Sequence, residues 1–504
     1  MKQTIVNSLL AAATALALVS CSGGSSAAPG SISNPFPTTN SAPQTTGAAV
    51  INKIVGIGDS LTAGEESNGL IGSPLAGNVN PLFPGTSPQP LLPPSQPYGW
   101  WADMYNAAHG GVSPNAAGAA NSVLPLINSP GIGGFLVLAT AGGFTGVQGS
   151  CAGLNAAAFN PATALSGTRV SPNAIPWDLG VPGQMVHEAL YQTGPQGSCQ
   201  NVSVAPGSLF QAETTAFLPI LGNFNGLSQV QAARSLNPTL TTVWLGANDL
   251  LKYALSGGAF GPTPTASIQS DLMTIVQTMQ QVGSQVAIAN LPDVLKTPLF
   301  IAIPNVPVQN TDPLPLTIVA ITAGAVPIGT ATALANGVVG ANSLTAGSYV
   351  TVAALPAILA VLPPTNAAIP NNLVALGEAL PTALATNVQA MNTAYNTAIA
   401  QVASSTNAAF VDVHQLFVTA ATSGVPVNPP TCCALTLNGG LVSWDQLHPS
   451  YTGYAVIANA WITAINSKFG TSIPQVNVAN AYAADPYAPG SPSFGVSKIR
   501  APGR

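Results

Sequence analysis

A serine, an aspartate and a histidine stand in two short segments at opposite ends of the chain, Gly58-Asp59-Ser60-Leu61 and Asp445-Gln446-Leu447-His448-Pro449. A serine hydroxyl becomes an effective nucleophile only when a nearby base takes its proton. An imidazole is suited to that task at neutral pH, provided its second nitrogen is committed to a carboxylate. Asp445, three residues before His448, can lie beside the ring and fix the tautomer that leaves one nitrogen facing the serine. The chain has only four histidines. His187 is expected on a helix after Gly183, His414 at the end of a strand after Asp412, and His109 before two glycines. None of these three has a comparable carboxylate arrangement, and they read as packing or turn histidines.

The serine needs a scaffold that projects it. Ala49 to Gly58 contains the β-type runs Val50-Ile51 and Ile54-Val55-Gly56-Ile57, which end at the Asp-Ser pair and put Ser60 at a strand's carboxyl end. Similar apolar runs follow at Leu240 to Leu245, Gln285 to Ala289 and Ala408 to Val413. Helix-compatible stretches stand between or after them: Gln229 to Ser235, Ser267 to Val282, Leu384 to Ala403 and Tyr454 to Ser467. Strand alternating with helix predicts a mostly parallel sheet covered on both faces. Glu65 to Pro97, His109 to Pro172 and Asp293 to Pro381 break this alternation and read as insertions. Within the last, Leu316 to Leu334 approaches membrane-spanning length, but Pro327, two glycines and four threonines favour a buried or interfacial segment.

Composition limits the partners. Of 504 residues 47% are hydrophobic, enough for a large core, yet only 5% are charged against roughly a quarter in an ordinary soluble protein. The net charge of -5 comes from 15 acids and 10 bases, and no dense Lys/Arg patch offers itself to phosphates, so nucleic acid is not an expected partner. Lys2, the apolar Ile5 to Leu18 and then Leu18-Val19-Ser20-Cys21 resemble a bacterial lipoprotein signal with its lipobox. That resemblance implies that residues 1–20 are removed, that Cys21 carries the lipid, and that acyl chains attach the protein to the membrane. The alternative is an ordinary secretory signal with an incidental cysteine. A lipid-anchored location in the cell envelope is expected and, if the host has two membranes, an outer-membrane or surface one, because Ser22 is not the aspartate associated with inner-membrane retention. Residues 21–48 read as a flexible Ser/Gly/Pro/Ala/Thr tether, and 469–504 as a surface-lying or disordered tail with a thin basic ending. Export permits disulfides among Cys151, Cys199, Cys432 and Cys433, for which three pairings stand open. No histidine has zinc-ligand spacing from these cysteines, and neither a metal nor an organic cofactor is expected.

Four blocks, taken in order, resemble the GDSL lipases and esterases, the SGNH hydrolases: Gly58-Asp59-Ser60-Leu61, Asp178-Leu179-Gly180-Val181-Pro182-Gly183, Gly246-Ala247-Asn248-Asp249, and Asp445 with His448. The resemblance implies a three-layer α/β/α, flavodoxin-like fold over about 49–468, with long insertions near 65–172 and 293–381. It implies Ser60 as nucleophile and His448 as base supported by Asp445. Its oxyanion hole is the Ser60 N–H, the Gly183 N–H and the Asn248 side-chain N–H. Many members carry asparagine where Asp178 stands. Asp59 and Asp249 are expected to brace their loops rather than act as bases. The expected reaction is hydrolysis of a carboxylic ester through an acyl-enzyme, with the apolar insertions suggesting an acyl or aryl group. Polysaccharide acetyl esterase, thioesterase and non-catalytic surface binding are the alternatives.

Overall fold

The structure is a computed structural model. It describes residues 44–66, 69–72, 94–111, 119–128, 132–133, 135–139, 143–147, 169–194, 217, 219–224, 226–322, 324–363, 365–425, 440–443, 445–486 and 488. The expected signal segment, Cys21 and the other four cysteines lie outside the described residues.

Four short strands make the central sheet: β1 (Ile54–Gly58), β2 (Leu240–Trp244), β3 (Gln285–Ala289) and, last in the chain, β7 (Ala409–Val411). They run in parallel in the order β1-β2-β3-β7, with Ile54 opposite Leu240, Leu240 opposite Gln285 and Ala409 opposite Ala287. Every residue of β1, β2 and β3 is buried, as a sheet covered on both faces requires. Only β7 has a partly exposed residue, Phe410. On the free side of β1 the chain around Asp178 adds a fifth, strand-like segment: Gly56 N–H donates to Trp177 O, and Leu179 and Val181 N–H donate to Gly56 O and Gly58 O.

The helices that use these strands are α1 (Ser60–Ala63), α2 (Trp100–Ala108), α3 (Val186–Tyr191), α4 (Gln229–Ser235), α5 (Ala247–Leu255) and α6 (Thr265–Gln280). Further on come α7 (Pro313–Ile321), α8 (Ile328–Ala341), α9 (Thr382–Thr406), α10 (Val413–Ser423), α11 (Tyr451–Phe469) and α12 (Val478–Ala484). On one face α2 packs against α11, and Trp100 stacks on Trp461 at 4.3 Å with Trp244 of β2 edge-on at 5.8 Å. Three indoles of this size bury enough apolar surface to lock the two helices to the sheet. The Trp244 Nε1–H is satisfied by Asn290 O. On the other face α4 lies on β1, α6 and α9 lie on β3, and α3 packs on α4 and α6. This is the expected three-layer α/β/α arrangement.

Some boundaries differ from the sequence reading. Within the expected insertion near 65–172, α2 is a full member of one helical layer: its run Trp100-Trp101-Ala102-Asp103-Met104 is wholly buried, so its apolar residues signal core and not an insertion. The end of the expected tether belongs to the fold, since Thr45 is bonded to Gly283 O, Thr239 O and the Gln285 side chain. The start of the expected tail is held as well: α12 packs on α11, and Asp485 accepts from both Thr452 N–H and Thr452 Oγ1–H. His414 opens α10 rather than ending a strand, because Asp412 caps that helix through Gln415 N–H.

The insertion near 293–381 forms its own small antiparallel sheet of β4 (Phe300–Ile303), β5 (Ser348–Thr351) and β6 (Ala379–Leu380), with α7 packed on β4 and on α8. Leu316 to Leu334 is broken between α7 and α8, as Pro327 dictates. No helix among the described residues is long and apolar enough to cross a membrane.

Candidate active site

Everything converges at the carboxyl ends of β1 and β2, where an open parallel sheet places its ligands. Beyond Gly58 the chain turns at Asp59, whose side-chain Oδ1 accepts Leu61 N–H at 3.0 Å and caps α1. Ser60 is the first residue of that helix. Its N–H is therefore one of the donors that a helix start leaves open for a ligand.

The second block is wedged against this turn. Leu179 and Val181 are tied to β1, and Gln229 Nε2 bridges Gly58 O and Leu179 O at 2.7 and 2.6 Å. A Cβ on Gly180 would stand 2.4 Å from Ala63 N, so only glycine lets the block approach α1. Asp178, where asparagine is common, has its carboxyl bonded to Gly180 N–H, and burial pushes it up to about 8. Gly183 has φ +81°, a left-handed backbone that a side chain would strain.

Asn248 is the second residue of α5. Its Nδ2 donates at 3.2 Å to Gln184 O, next to Gly183, and at 3.2 Å to Asp59 Oδ2, next to Ser60. Asp249 performs the bracing role expected of it: its carboxyl accepts Val186 N–H at the start of α3 and the Thr263 hydroxyl. The three proposed oxyanion positions thus occupy one contiguous patch.

The fourth block completes the site from the other helical layer. Asp445 Oδ1 accepts Leu447 and His448 N–H and the Ser443 hydroxyl, which fixes the carboxylate in a tight turn whose Gln446 has φ +64°. Asp445 Oδ2 lies 2.6 Å from His448 Nδ1, and His448 Nε2 lies 2.9 Å from Ser60 Oγ. A carboxylate only accepts, so Nδ1 carries a proton, and when the ring is neutral Nε2 is the acceptor for the serine hydroxyl. Ser60 is 8%, His448 3% and Asp445 3% exposed, so little water screens these interactions.

Burial works against the imidazolium, but Asp445, Glu65, the Asp445 hydrogen bond and Asp59 together outweigh it and hold His448 above its ordinary range. Burial likewise opposes the Asp445 carboxylate; His448 and two backbone N–H donors overcome it and hold the group below its ordinary range. Asp59 and Glu65 are each pushed up to about 7, chiefly by burial. Glu65 is a participant that the sequence reading placed at the start of an insertion. It follows α1 directly, its N–H is bonded to Ser60 O, and Tyr454 Oη–H on α11 donates to its carbonyl. Its position five residues after Ser60 was the available signal. Gln229 and Tyr454 carried none, because only the fold brings them here.

The described residues therefore unite Ser60, His448, Asp445 and Asn248 with the Gly183 turn. His109, His187 and His414 lie elsewhere: His109 bonds Tyr105 O and His414 N–H bonds Asn290, whereas His187, read as a packing or turn histidine without a carboxylate arrangement, is exposed and pairs with Asp271. Among the described residues no group of three or more His, Cys, Asp or Glu could hold a metal ion.

Residues 54–461 match the family model GDSL-like Lipase/Acylhydrolase, and the chain belongs to that family. Its fold is accordingly the SGNH α/β type, and its general class is that of an esterase- or lipase-type acylhydrolase. Comparison with curated proteins and with solved structures returned no match.

The upward shift of His448 sets the pH dependence. The base must be neutral to accept a proton, so kcat/KM should climb as pH rises past the ordinary imidazole value of about 6.5 and keep climbing on the alkaline side. Glu65→Gln removes one of the charges that favours the imidazolium, and its pH–rate profile should move toward acid. An unmoved profile in that variant would show that Glu65 does not act on His448.

Proposed function

We propose that this protein is a serine hydrolase that cleaves carboxylic esters through an acyl-enzyme intermediate. The observation that carries the proposal is the unbroken hydrogen-bond chain from Asp445 through His448 to Ser60 Oγ. In the first half-reaction His448 Nε2 takes the Ser60 proton as Oγ bonds to the ester carbonyl carbon. The carbonyl oxygen, now negative, is met by the Ser60 and Gly183 N–H groups and the Asn248 amide. His448 then passes its proton to the leaving alcohol oxygen as the C–O bond breaks. Water repeats the sequence, with His448 as base, and releases the acid and free Ser60. Asp445 keeps its charge throughout and stabilises the transient imidazolium. Each oxyanion donor acts most strongly on charge that develops at the transition state, where one donor is worth about 10²–10³ in rate.

For the substrate we favour esters with an apolar acyl or aryl group, in keeping with the Ala-, Leu-, Val- and Pro-rich insertions. Acetylated polysaccharides and thioesters are the competing classes. A non-catalytic binding protein of the same fold is the reading least compatible with a charged, hydrogen-bonded triad, because such a site has a desolvation cost that binding alone does not require. A panel of nitrophenyl esters of increasing acyl length should be hydrolysed, with Ser60→Ala lowering turnover by about 10⁴-fold or more. Equal turnover by both proteins sinks the triad assignment; a maximum at acetyl or at long acyl chains selects the substrate class.

We further propose that Cys21 is lipidated and holds the enzyme on the cell envelope, on the strength of the Leu18-Val19-Ser20-Cys21 motif and the tether that follows it. In a bacterial host, palmitate label should enter the wild-type protein and be lost in Cys21→Ser. Labelling that persists in the variant rules out this anchor.

A further inference from the structure

Leu299, just before β4, ties the insertion near 293–381 to the turn that carries Asp445 and His448. Its N–H donates to Gln446 O at 2.9 Å, and its own carbonyl accepts Val352 N–H at 2.9 Å just beyond β5. Phe300 and Thr351 pair directly after it, so the small antiparallel sheet presents the Leu299 N–H from a fixed backbone. Gln446 O and Leu447 N–H are the two ends of one peptide unit, and a trans peptide points them in opposite directions. The N–H end donates to Asp445 Oδ1 at 2.9 Å. One peptide plane therefore runs from the insertion to the carboxylate that holds His448 Nδ1. Gln446 has φ +64°, a left-handed backbone that a glutamine keeps only where its surroundings hold it. A flip of this peptide would turn Gln446 O toward Asp445 Oδ1, acceptor against acceptor, and would turn an N–H toward the Leu299 N–H. The Leu299 bond stands against that flip.

We propose that Leu299 is a positioning residue, whose backbone N–H locks the Gln446–Leu447 peptide in the orientation that lets Leu447 N–H donate to Asp445. This role deepens the acyl-enzyme reading above and rests on it. Leu299 exchanges no proton; it acts through a carboxylate whose place sets the His448 ring against Ser60 Oγ. The insertion thereby belongs to the machinery of the site, although the four sequence blocks contain none of it. A displaced ring harms proton transfer more than substrate binding, so loss of the bond should appear in kcat and spare KM.

A backbone donor is removed most cleanly by leucic acid in place of Leu299, introduced through nonsense suppression, which changes the N–H to an ester oxygen and keeps the side chain. Leu299→Pro removes the same donor by ordinary mutagenesis. Leu299→Ala keeps the donor and trims the side chain. kcat and KM are measured on the nitrophenyl ester that the wild type cleaves best, with circular dichroism melting curves on every protein and Ser60→Ala as the inactive reference. Proton NMR follows the low-field resonance of His448 Nδ1–H, assigned by its loss in His448→Ala. The leucic acid protein should lose about 10-fold or more in kcat with KM within about threefold, and its low-field resonance should shift or broaden. Leu299→Ala should keep kcat within about threefold of wild type and leave the resonance in place.

Three results overturn the proposal: a folded protein without the donor whose kcat stays within about threefold of wild type, an unmoved His448 resonance in that protein, or a Leu299→Ala that loses as much kcat as the forms without the donor. If the leucic acid and Leu299→Pro proteins both fail to fold, the bond serves stability alone and the proposal falls. Each of these leaves the hydrolase reading standing as long as Ser60→Ala is inactive and the wild type is not. Absence of wild-type turnover on every ester instead removes that reading and this inference with it.

Discussion

The site depends on keeping an imidazole charged-or-neutral at will in a place with almost no water. His448 achieves this because Asp445 is anchored before His448 meets it: two backbone N–H groups and a serine hydroxyl already hold the carboxylate. A short 2.6 Å contact to Nδ1 then fixes both the ring plane and the tautomer. Removing either member would take the oppositely charged partner from a buried ionisable group, a loss of about 3–5 kcal/mol. The pair thus couples catalysis to the stability of the turn that α11 begins.

The unusual charge content takes on meaning around this pair. The chain has few acids, and a large share of them face inward: Asp59, Glu65, Glu66, Asp103, Asp178, Asp249 and Asp445 are all buried. Asp445 keeps its charge because it has a cationic partner and donors. Glu66 and Asp103, whose Glu66 Oε1, Glu66 Oε2 and Asp103 Oδ2 atoms have no hydrogen-bond partner, are raised well above the ordinary range, chiefly by burial. Asp445 is thereby favoured in its charged form by its surroundings, while Asp59 and Glu65 add to the bias of His448 toward the imidazolium.

Much of this was legible before any fold was considered. Ile54 to Gly58, Leu240 to Leu245 and Gln285 to Ala289 are short, largely apolar runs, broken only by Thr241, Thr242 and the leading Gln285, the pattern of a parallel strand covered on two faces. Asp445 and His448 are neighbours in sequence, so their contact needs only a turn. What escaped was of two kinds. Trp100 to Met104 is core helix, yet it stands between Pro- and Gly-rich stretches that conceal its membership of a layer. Glu65, Gln229 and Tyr454 act on the site through contacts whose partners are set by packing and not by spacing. The link from Asp59 to Asn248 is of that second kind, whereas the cap from Asp59 to Leu61 is local and was expected.

The central claim is that Ser60 Oγ is the atom that becomes acylated, with His448 as its base. A fluorophosphonate reacts with a serine only when that serine is activated, and its phosphonyl oxygen takes the place of the oxyanion. Mass spectrometry of the labelled, digested protein should find one adduct, on the peptide that contains Ser60, and none in His448→Ala over the same time. An adduct on another residue, or equal labelling of Ser60 without His448, would contradict the account.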